Sequence, residues 1–301
     1  MHIQTLQKDF LMSENTTKTY RGRIAPTPTG HLHLGHAQTF WIAAKRASDS
    51  GGKLIYRSED LDLQRCKQEY HESAIDDLHW LGIKWNEGPD IGGPYNPYTQ
   101  SERTNRYWKV FKELQLRGFV YPCKCSRKDV AEATSAPHKS GSEPIYPGTC
   151  RPINNQEQYI TPNKEDKINW RFRIPERKNI KFADGCFGEQ QFVTNKDFGD
   201  FVLWRHDNIP SYQLAVVVDD HDMQITEVVR GADLLKCTAR QILLYHALEW
   251  DVPEFYHCPL VTDLNGQRLA KRSNSMSLLN MRKSGLSAQS IISNFNIKNI
   301  E

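Results

Sequence analysis

The feature that most constrains this chain is a loop of prolines, glycines and histidines at residues 23–36. It reads Arg-Ile-Ala-Pro-Thr-Pro-Thr-Gly-His-Leu-His-Leu-Gly-His. Pro26 and Pro28 fix their φ angles and stiffen the loop, and the flanking patterns predict a strand at 20–24 and a helix at 38–47. A strand that passes through such a loop into a helix is a phosphate-binding geometry, because the helix N-terminus presents unpaired N–H groups and a partial positive charge. The loop contains neither the Gly-x-Gly-x-x-Gly nor the Gly-Lys-Thr of common nucleotide-binding motifs.

Two histidines, His33 and His36, lie at the predicted junction between this loop and its helix. Imidazoles there can donate hydrogen bonds to a phosphate in a reaction that needs no protein nucleophile. The alternative is a rigid loop that carries two surface histidines without a chemical role. For a pair of histidines taken alone, that alternative is the better interpretation.

The composition fits a globular protein with one large or two modest domains, since 38% of the 301 residues are hydrophobic and 25% are charged. A net charge of +3 permits a nucleic-acid partner without requiring one. No apolar run approaches the length of a membrane span, and the N-terminus lacks a signal-peptide pattern. Seven cysteines without the spacing of a disulfide framework predict reduced thiols. We therefore expect a cytoplasmic protein that does not contact membranes. We also expect a monomer, although the sequence does not give the oligomeric state.

In the first third of the chain, predicted strands and helices follow one another as expected of half a doubly wound nucleotide fold. After the opening strand and helix, the pattern predicts a strand at 53–57 and helices at 69–81 and 101–118. Carboxylates, among them Glu59, directly follow this strand, at the position where ligands bind in open α/β sheets. A solvated turn that caps the next helix is the alternative interpretation.

Further strands are predicted in the second half. They lie at 168–174, 197–204, 212–219 and 260–261. The run at 212–219 is continuously apolar, as expected of a buried parallel strand, and it ends in the acidic residues 219–222. A later helix would open at Thr238, with Gln241 completing a capping box. Arg230 is either a loop arginine or a clamp that holds a carboxylate bidentately.

Three cysteines in and around a segment rich in serine, proline and glycine predict a zinc site: Cys123, Cys125 and Cys150. Thiolates bind Zn²⁺ tightly, and the metal would hold together a loop-rich module with little core. On chemistry alone His138 is the better fourth ligand, because imidazole commonly binds zinc and a phenol does not. Three free cysteines are the alternative interpretation.

Taken as a whole, the opening loop resembles the first signature of the class I aminoacyl-tRNA synthetases, His-Ile-Gly-His, here His33-Leu34-Gly35-His36. The preceding Arg-Ile-Ala-Pro-Thr narrows this resemblance to the glutamyl and glutaminyl branch. The resemblance runs from about residue 20 to about residue 279, which is nearly the whole chain.

A basic loop at 268–272 is similar to the second signature of these enzymes, Lys-Met-Ser-Lys-Ser, in a degenerate form. Lys271 falls on the second lysine of the signature. Arg268 replaces the first lysine and keeps the charge, whereas Arg272 replaces the serine. In such a loop the cations would close on the charge that develops on the phosphates of ATP.

The resemblance implies an α/β fold, a class I Rossmann-like nucleotide-binding domain with an inserted zinc-binding, acceptor-type subdomain. The implied segments are a flexible extension at 1–19, the first half of the catalytic domain at 20–120, the insertion at 121–200, the second half of the catalytic domain at 201–259, and the basic loop with a short helical segment at 260–301. We expect no anticodon-binding domain, because glutamyl-tRNA synthetases carry one after the second signature and only 29 residues follow Arg272 here. The chain therefore resembles the truncated glutamyl-queuosine tRNA(Asp) synthetases.

That family activates glutamate with ATP without needing tRNA, and it then transfers glutamate to queuosine in the anticodon of tRNA(Asp). The implied partners are thus ATP, L-glutamate and tRNA(Asp) carrying queuosine, with Mg²⁺ accompanying ATP. One alternative is a truncated glutamyl-tRNA synthetase that charges a tRNA 3′ end. Another is a non-catalytic RNA-binding relative that kept the fold.

The resemblance also implies roles for individual residues. Glutamate would be bound by Arg23, Ile24, Ala25, Pro26, Thr27, Glu59, Tyr212 and Arg230. ATP would be bound by His33, Gly35, His36, Arg268, Leu269, Ala270, Lys271 and Arg272, and the catalytic residues would be His33, His36 and Lys271. One structural Zn²⁺ would be held by Cys123, Cys125, Tyr146 and Cys150. Tyr146 is preferred to His138 here because the family pattern is Cys-x-Cys followed by Tyr-x-x-x-Cys. Basic residues around this module, Arg127, Lys128 and Arg151, could hold tRNA phosphates.

Overall fold

The computed structural model describes residues 19–133, 144–153, 167–261, 277–293 and 295. The strands are β1 (Arg21–Ile24), β2 (Lys53–Tyr56), β3 (Val120–Cys123), β4 (Asn169–Phe172), β5 (Asn179–Asp184), β6 (Gly188–Val193), β7 (Phe201–Trp204), β8 (Glu227–Gly231) and β9 (Glu254–Cys258). The helices are α1 (Leu34–Asp49), α2 (Gln68–Trp80), α3 (Thr104–Leu116), α4 (Arg127–Ala133), α5 (Tyr212–Asp222), α6 (Leu235–Leu248), α7 (Leu278–Lys283) and α8 (Ala288–Ile292).

The strands near the candidate site are mainly parallel. β1 pairs in parallel with β2, and β9 pairs in parallel with β8 and with β5, whose other edge carries the antiparallel β6. β1 also lies beside β8. At the start of β8, the N–H of the preceding residue, Thr226, donates to the Arg21 carbonyl at 2.9 Å. Helix α1 follows β1 and packs against both β1 and β8. The predicted α/β class is confirmed.

A second, antiparallel sheet consists of β3, β4 and β7. The domain limits implied by the resemblance stay a prediction, and two strand pairings cross them. The hairpin β5–β6, inside the expected insertion at 121–200, joins β9. Strand β7, at the start of the expected second half, pairs with β4. None of the helices in the described ranges is long and apolar enough to cross a membrane.

Helix α1 contains the predicted helix at 38–47 and begins four residues earlier, at Leu34. It starts there because His33 caps it. The His33 Nδ1 accepts a hydrogen bond from the Gly35 N–H at 3.2 Å, and the His33 N–H donates to the His36 Nδ1 at 3.4 Å. The histidine motif is therefore the first turn of this helix.

The prediction of a parallel strand at 212–219 is wrong, because this segment belongs to helix α5. Ser211 caps the helix, since its Oγ accepts a hydrogen bond from a backbone N–H three residues on, at 3.4 Å. Residues 213–220 are all buried, so no polar face marks the helix in the sequence. A short apolar run without a polar face looks the same in a buried strand and in a buried helix. Asp219 and Asp220 thus lie in the last turns of a helix.

The sequence pattern also fails to predict strands β3, β5, β6, β8 and β9. β5 and β6 form a hairpin that leaves many of its side chains exposed, so apolar alternation is weak there. The expected strand at 260–261 does not form. Thr238 lies inside α6 and does not cap it, because a 3₁₀ turn, Ala232–Leu234, leads directly into the helix.

Candidate active site

A cavity of about 670 Å³ opens where β1 and β8 end and α1 begins. Ligands bind at this edge of open α/β sheets because the loops after the strands converge there. Ten of the predicted glutamate-binding and ATP-binding residues line it. They are Arg23, Ala25, Pro26, Thr27, His33, Gly35, His36, Glu59, Tyr212 and Arg230.

The remaining predicted substrate-binding residues are found elsewhere. Ile24 does not line the cavity, because its side chain is fully buried in the core. The predicted ATP-binding residues at 268–272 lie outside the described residues. The chain on either side of them reaches the cavity, since residues 259–261 line it and Ser277 forms a backbone bridge with His33.

His33 and His36 stack on each other at the N-terminus of α1, with ring centroids 3.8 Å apart. Each Nδ1 accepts a backbone N–H, which puts the proton of a neutral ring on Nε2. The N-terminus of α1 adds its own N–H groups and partial positive charge at the same place. The arrangement suits an anion such as a phosphate.

Arg23 and Glu59 place opposite charges on the cavity wall. The Arg23 Nη1 donates to the Val229 carbonyl at 2.7 Å, and its Nε lies 3.4 Å from the Asp220 Oδ1. The Glu59 Oε1 accepts a hydrogen bond from the Arg57 Nη2 at 3.0 Å. Burial raises the pKa of Glu59, although the charges of Arg57 and Arg23 oppose this rise. A ligand with both a carboxylate and an ammonium group can find a partner for each here.

Arg57 is fully buried and joins three carboxylates. Besides Glu59, its Nη1 donates to the Asp220 Oδ1 at 2.7 Å, and its Nε lies 3.6 Å from the Asp219 Oδ2. Buried ions persist only when they are paired and hydrogen-bonded in this way. Arg57 therefore ties the loop after β2 to helix α5.

Asp219 receives further donors from the segment before and inside α3. The Arg103 Nε donates to it at 2.6 Å, the Gln100 Nε2 at 2.8 Å and the Tyr107 hydroxyl at 2.9 Å. Burial raises the pKa of Asp219, whereas Arg57 and Arg103 act to lower it. Cationic partners also compensate for carboxylates at the C-terminal end of α5, where the helix dipole disfavours negative charge.

Arg230 lies on strand β8, so the interpretation as a loop arginine is wrong. Its Nη2 donates to the Thr238 Oγ1 at 2.6 Å, its Nε to the His257 Nε2 at 3.2 Å, and its Nη1 to the Tyr212 hydroxyl at 3.4 Å. The His257 Nδ1 in turn lies 2.6 Å from the Asp184 Oδ2. This anchored guanidinium lines the cavity, as a clamp for a carboxylate would.

Sequence reasoning does not single out Arg57, Asp184 or His257. The position of Arg57, one residue after strand β2 and two residues before Glu59, is a signal that could have identified it. Asp184 and His257 lie on strands that the apolar pattern does not predict, so no local signal marks them.

The three predicted zinc-binding cysteines, Cys123, Cys125 and Cys150, have Sγ atoms within 4.8 Å of one another. The Tyr146 hydroxyl lies 3.4 Å from the Cys123 Sγ and 4.0 Å from the Cys125 Sγ, whereas His138 lies outside the described residues. The sulfurs of Cys125 and Cys150 are 3.6 Å apart, too far for a disulfide. This distance is close to the edge of about 3.8 Å expected for two thiolates on one tetrahedral zinc. The donor set therefore fits Zn²⁺.

The basic residues near this cluster differ in their environment. Arg127 and Lys128 are exposed on α4. Arg151 is largely buried, and it donates to the Asp200 carboxylate at 3.3 Å and to the Ile174 carbonyl at 2.7 Å. Arg151 therefore has a structural role in this fold.

A comparison with known protein families agrees with this geometry. Residues 19–296 match the catalytic domain of the class I tRNA synthetases (E and Q). The chain belongs to this family. The predicted synthetase fold is thereby confirmed, as is the predicted ligase-type enzyme class.

Two similar curated relatives are named glutamyl-Q tRNA(Asp) synthetase. The protein of Nitratidesulfovibrio vulgaris (strain Hildenborough) is 46% identical over 271 residues, which cover 90% of this chain and 83% of the relative. The protein of Symbiobacterium thermophilum is 46% identical over 272 residues, 90% of this chain and 84% of the relative. A glutamate–tRNA ligase of Desulforamulus reducens is 41% identical over 258 residues, 86% of this chain but 53% of the ligase.

Among solved structures, a glutamate tRNA ligase from Elizabethkingia meningosepticum in complex with its amino acid is similar, with a TM-score of 0.73 and 30% identity. The match covers 89% of this chain and 54% of the ligase, so the chain spans about half the length of that protein. A methionyl-tRNA synthetase from Mycobacterium tuberculosis, with 9% identity and a TM-score of 0.53, shares the fold alone.

Removal of Arg57 tests the buried ion cluster. At about pH 7, we expect Arg57→Met to lower the free energy of unfolding by about 3 kcal/mol or more, because three buried carboxylates lose their shared cation. Burial already raises the pKa values of Glu59 and Asp219, and without that cation they rise further. Protons then bind the folded state better, so the loss of stability shrinks towards about pH 5. Urea unfolding followed by circular dichroism at both pH values measures this.

Arg106→Met is the matched control. The Arg106 Nη2 lies 2.7 Å from the Asp222 Oδ1, but its side chain is 41% exposed. We expect this change to cost about 1 kcal/mol or less, because solvent screens exposed pairs. Equal losses in the two variants would contradict a special role for the buried cluster.

Proposed function

We propose that this protein activates L-glutamate with ATP as glutamyl-adenylate, without needing tRNA, and transfers the glutamate to queuosine in the anticodon of tRNA(Asp). The observation that carries this proposal is a cavity with two arginines and a glutamate on its walls and a helix N-terminus at its edge. The choice of tRNA(Asp) is supported by 46% identity across 83% of a relative named for that reaction.

The proposed glutamate site uses charges of both signs. Arg23 binds the side-chain carboxylate, a contact that the amide of glutamine does not satisfy equally. Glu59 holds the ammonium group, and Tyr212 and Arg230 complete the pocket. Residues 25–27 belong to the loop that borders it, whereas the side chain of Ile24, the last residue of β1, lies in the core.

The proposed ATP site is the first turn of α1. An oxygen of the α-carboxylate of glutamate attacks the α-phosphorus of ATP, a new O–P bond forms, and the P–O bond to pyrophosphate breaks. His33, His36 and the N–H groups near Gly35 stabilise the charge on the phosphates. In the segment 268–272, Lys271 is proposed to close on the leaving pyrophosphate. Mg²⁺ bound with ATP supplies further charge neutralisation.

The proposed metal is one structural Zn²⁺, held by Cys123, Cys125, Cys150 and Tyr146. The mutual distances of the three sulfurs and the tyrosine hydroxyl support this donor set. Zinc bound there would stabilise the loop-rich module around α4, which has little apolar core of its own.

A second candidate function is transfer of glutamate to the 3′ end of a tRNA. It is supported by the 41% identity with a glutamate–tRNA ligase and by the similar structure of another such ligase. Both functions use the same activation step, so only the acceptor distinguishes them.

The first test is glutamate-dependent ATP–pyrophosphate exchange with no tRNA present. We expect exchange with glutamate and much less with glutamine, because the cavity offers cations for a second carboxylate. Labelled glutamate should then appear on tRNA(Asp) that carries queuosine and not on the same tRNA without it. An ester at a tRNA 3′ adenosine would instead support the second candidate. If neither exchange nor transfer of glutamate occurs under any condition, the non-catalytic relative is supported.

His36→Asn tests the phosphate site. We expect the kcat of exchange to fall about 100-fold or more, because one donor to the transition-state charge is lost. The KM for glutamate should change little. His31→Asn is the matched control, since His31 hydrogen-bonds to Ser73 and does not line the cavity. A loss of similar size in the control, or none in the test variant, would contradict the assignment.

Metal analysis of the purified protein tests the zinc site. We expect about one zinc per chain, lost in Cys150→Ser and kept in the control Cys66→Ser, because a thiolate is a far stronger zinc ligand than a hydroxyl. Tyr146→Phe and His138→Ala separate the two candidates for the fourth ligand. We expect Tyr146→Phe to weaken zinc retention against a chelator, and the opposite pattern would support His138.

A further inference from the structure

Arg230 is anchored along one edge before any ligand enters. Three of its five N–H groups donate to described residues, namely His257, Thr238 and Tyr212. Arg230 is buried, with 4% of the residue exposed, yet it lines the cavity. The other two N–H groups donate to none of the described residues. A carboxylate that binds bidentately needs two donors, so these two can serve a ligand.

The anchor depends on which nitrogen of His257 carries the proton. The Asp184 Oδ2 lies 2.6 Å from the His257 Nδ1, so Nδ1 donates to the carboxylate. The Nε2 then carries a lone pair and accepts from the Arg230 Nε at 3.2 Å. The Thr238 Oγ1 lies 3.0 Å from the same Nε2 and accepts from the Arg230 Nη2.

Asp184 is itself held by backbone groups. It accepts hydrogen bonds from the N–H of Cys186 at 3.0 Å, of Phe187 at 2.9 Å and of His257 at 3.1 Å. Burial alone would raise the pKa of Asp184, but the hydrogen bonds from His257 and from these backbone groups hold it below its ordinary value. The carboxylate thus stays ionised and fixed at the turn between β5 and β6.

Burial lowers the pKa of the fully buried His257, and the charges of Arg230 and Arg23 lower it further, although Asp184 acts in the opposite direction. The ring is therefore neutral. An imidazolium would aim an Nε2–H at the Arg230 N–H and place a second cation beside it, which would displace the guanidinium.

We propose that Asp184, His257 and Thr238 are positioning residues that hold the inner edge of Arg230, so that its outer N–H groups meet a carboxylate of the bound amino acid. The proposal rests on the proposed function, since it assigns a mechanism of specificity to the same cavity. Loss of the acceptor at position 257 or 238 frees the guanidinium to turn, and the pocket then loses affinity for a dicarboxylic amino acid.

Variants that keep or remove single acceptors test this. Thr238→Val removes the Oγ1 at nearly constant volume. His257→Asn keeps a donor for Asp184 but has no acceptor that reaches Arg230, whereas His257→Gln restores an acceptor near the position of Nε2. The control His246→Asn changes an exposed histidine at the end of α6 that does not line the cavity.

The measurement is ATP–pyrophosphate exchange as a function of glutamate and of ATP. In Thr238→Val and His257→Asn we expect the KM for glutamate to rise about 10-fold to 100-fold, while the KM for ATP changes by about 2-fold or less. We expect His257→Gln to recover part of the loss and the control to behave as the wild type. Equal changes in both KM values, or a loss of thermal stability with no change in the KM for glutamate, would overturn the proposal.

Nitrogen NMR of the histidine rings in the wild-type protein gives a readout that does not depend on activity or on a variant that folds. We expect the His257 proton on Nδ1, with no titration between about pH 6 and about pH 8. A proton on Nε2, or titration in that range, would overturn the proposal. A wild type without glutamate-dependent exchange would overturn the proposed function as well, whereas an active wild type with unaffected variants would overturn the positioning role alone.

Discussion

The structure depends most on the buried contact between Arg57 and the carboxylates of Glu59, Asp219 and Asp220. The Arg57–Asp220 hydrogen bond joins residues 163 positions apart in the sequence, so it fixes helix α5 against the end of β2. Buried charges are costly unless each has a partner, and so this cluster leaves few alternative ways to pack the two segments. Because Asp220 also contacts Arg23, the position of the cavity wall follows from a contact in the core.

The two arginines of the cavity gain their rigidity from strands. Arg23 belongs to β1 and donates to the Val229 carbonyl, and Arg230 is the next residue of β8. Each guanidinium is thus fixed by hydrogen bonds before substrate binds. Side chains on strands with hydrogen-bonded supports hold their geometry better than side chains on loops, and this lowers the entropy lost when a ligand binds. The histidines reach the same cavity from the first turn of α1.

How far the sequence predicts this site depends on how local each signal is. His33 and Glu59 are found because a short motif and a strand end mark them. Helix α5 is misassigned because residues 213–220 are all buried, which removes the helical period from its sequence. Asp184 and His257 are missed for another reason, since their roles arise only when β5, β8 and β9 come together in the folded sheet. No local sequence pattern indicates that these strands pair with one another.

In the described part of the chain, the buried arginines near the cavity are held by other side chains before a substrate binds. Among the described residues, Arg23 and Arg57 contact Asp220, and Arg57 and Arg103 contact Asp219. Arg230 is linked to Asp184 through His257. A neutral His257 adds no charge, whereas a protonated one would place a further cation next to Arg230. Two arginines that share a cavity would otherwise repel each other and turn towards solvent. Asp220 keeps Arg23 in place, and His257 and Thr238 keep Arg230 in place. The cavity can therefore present preorganised donors to a carboxylate as soon as it enters.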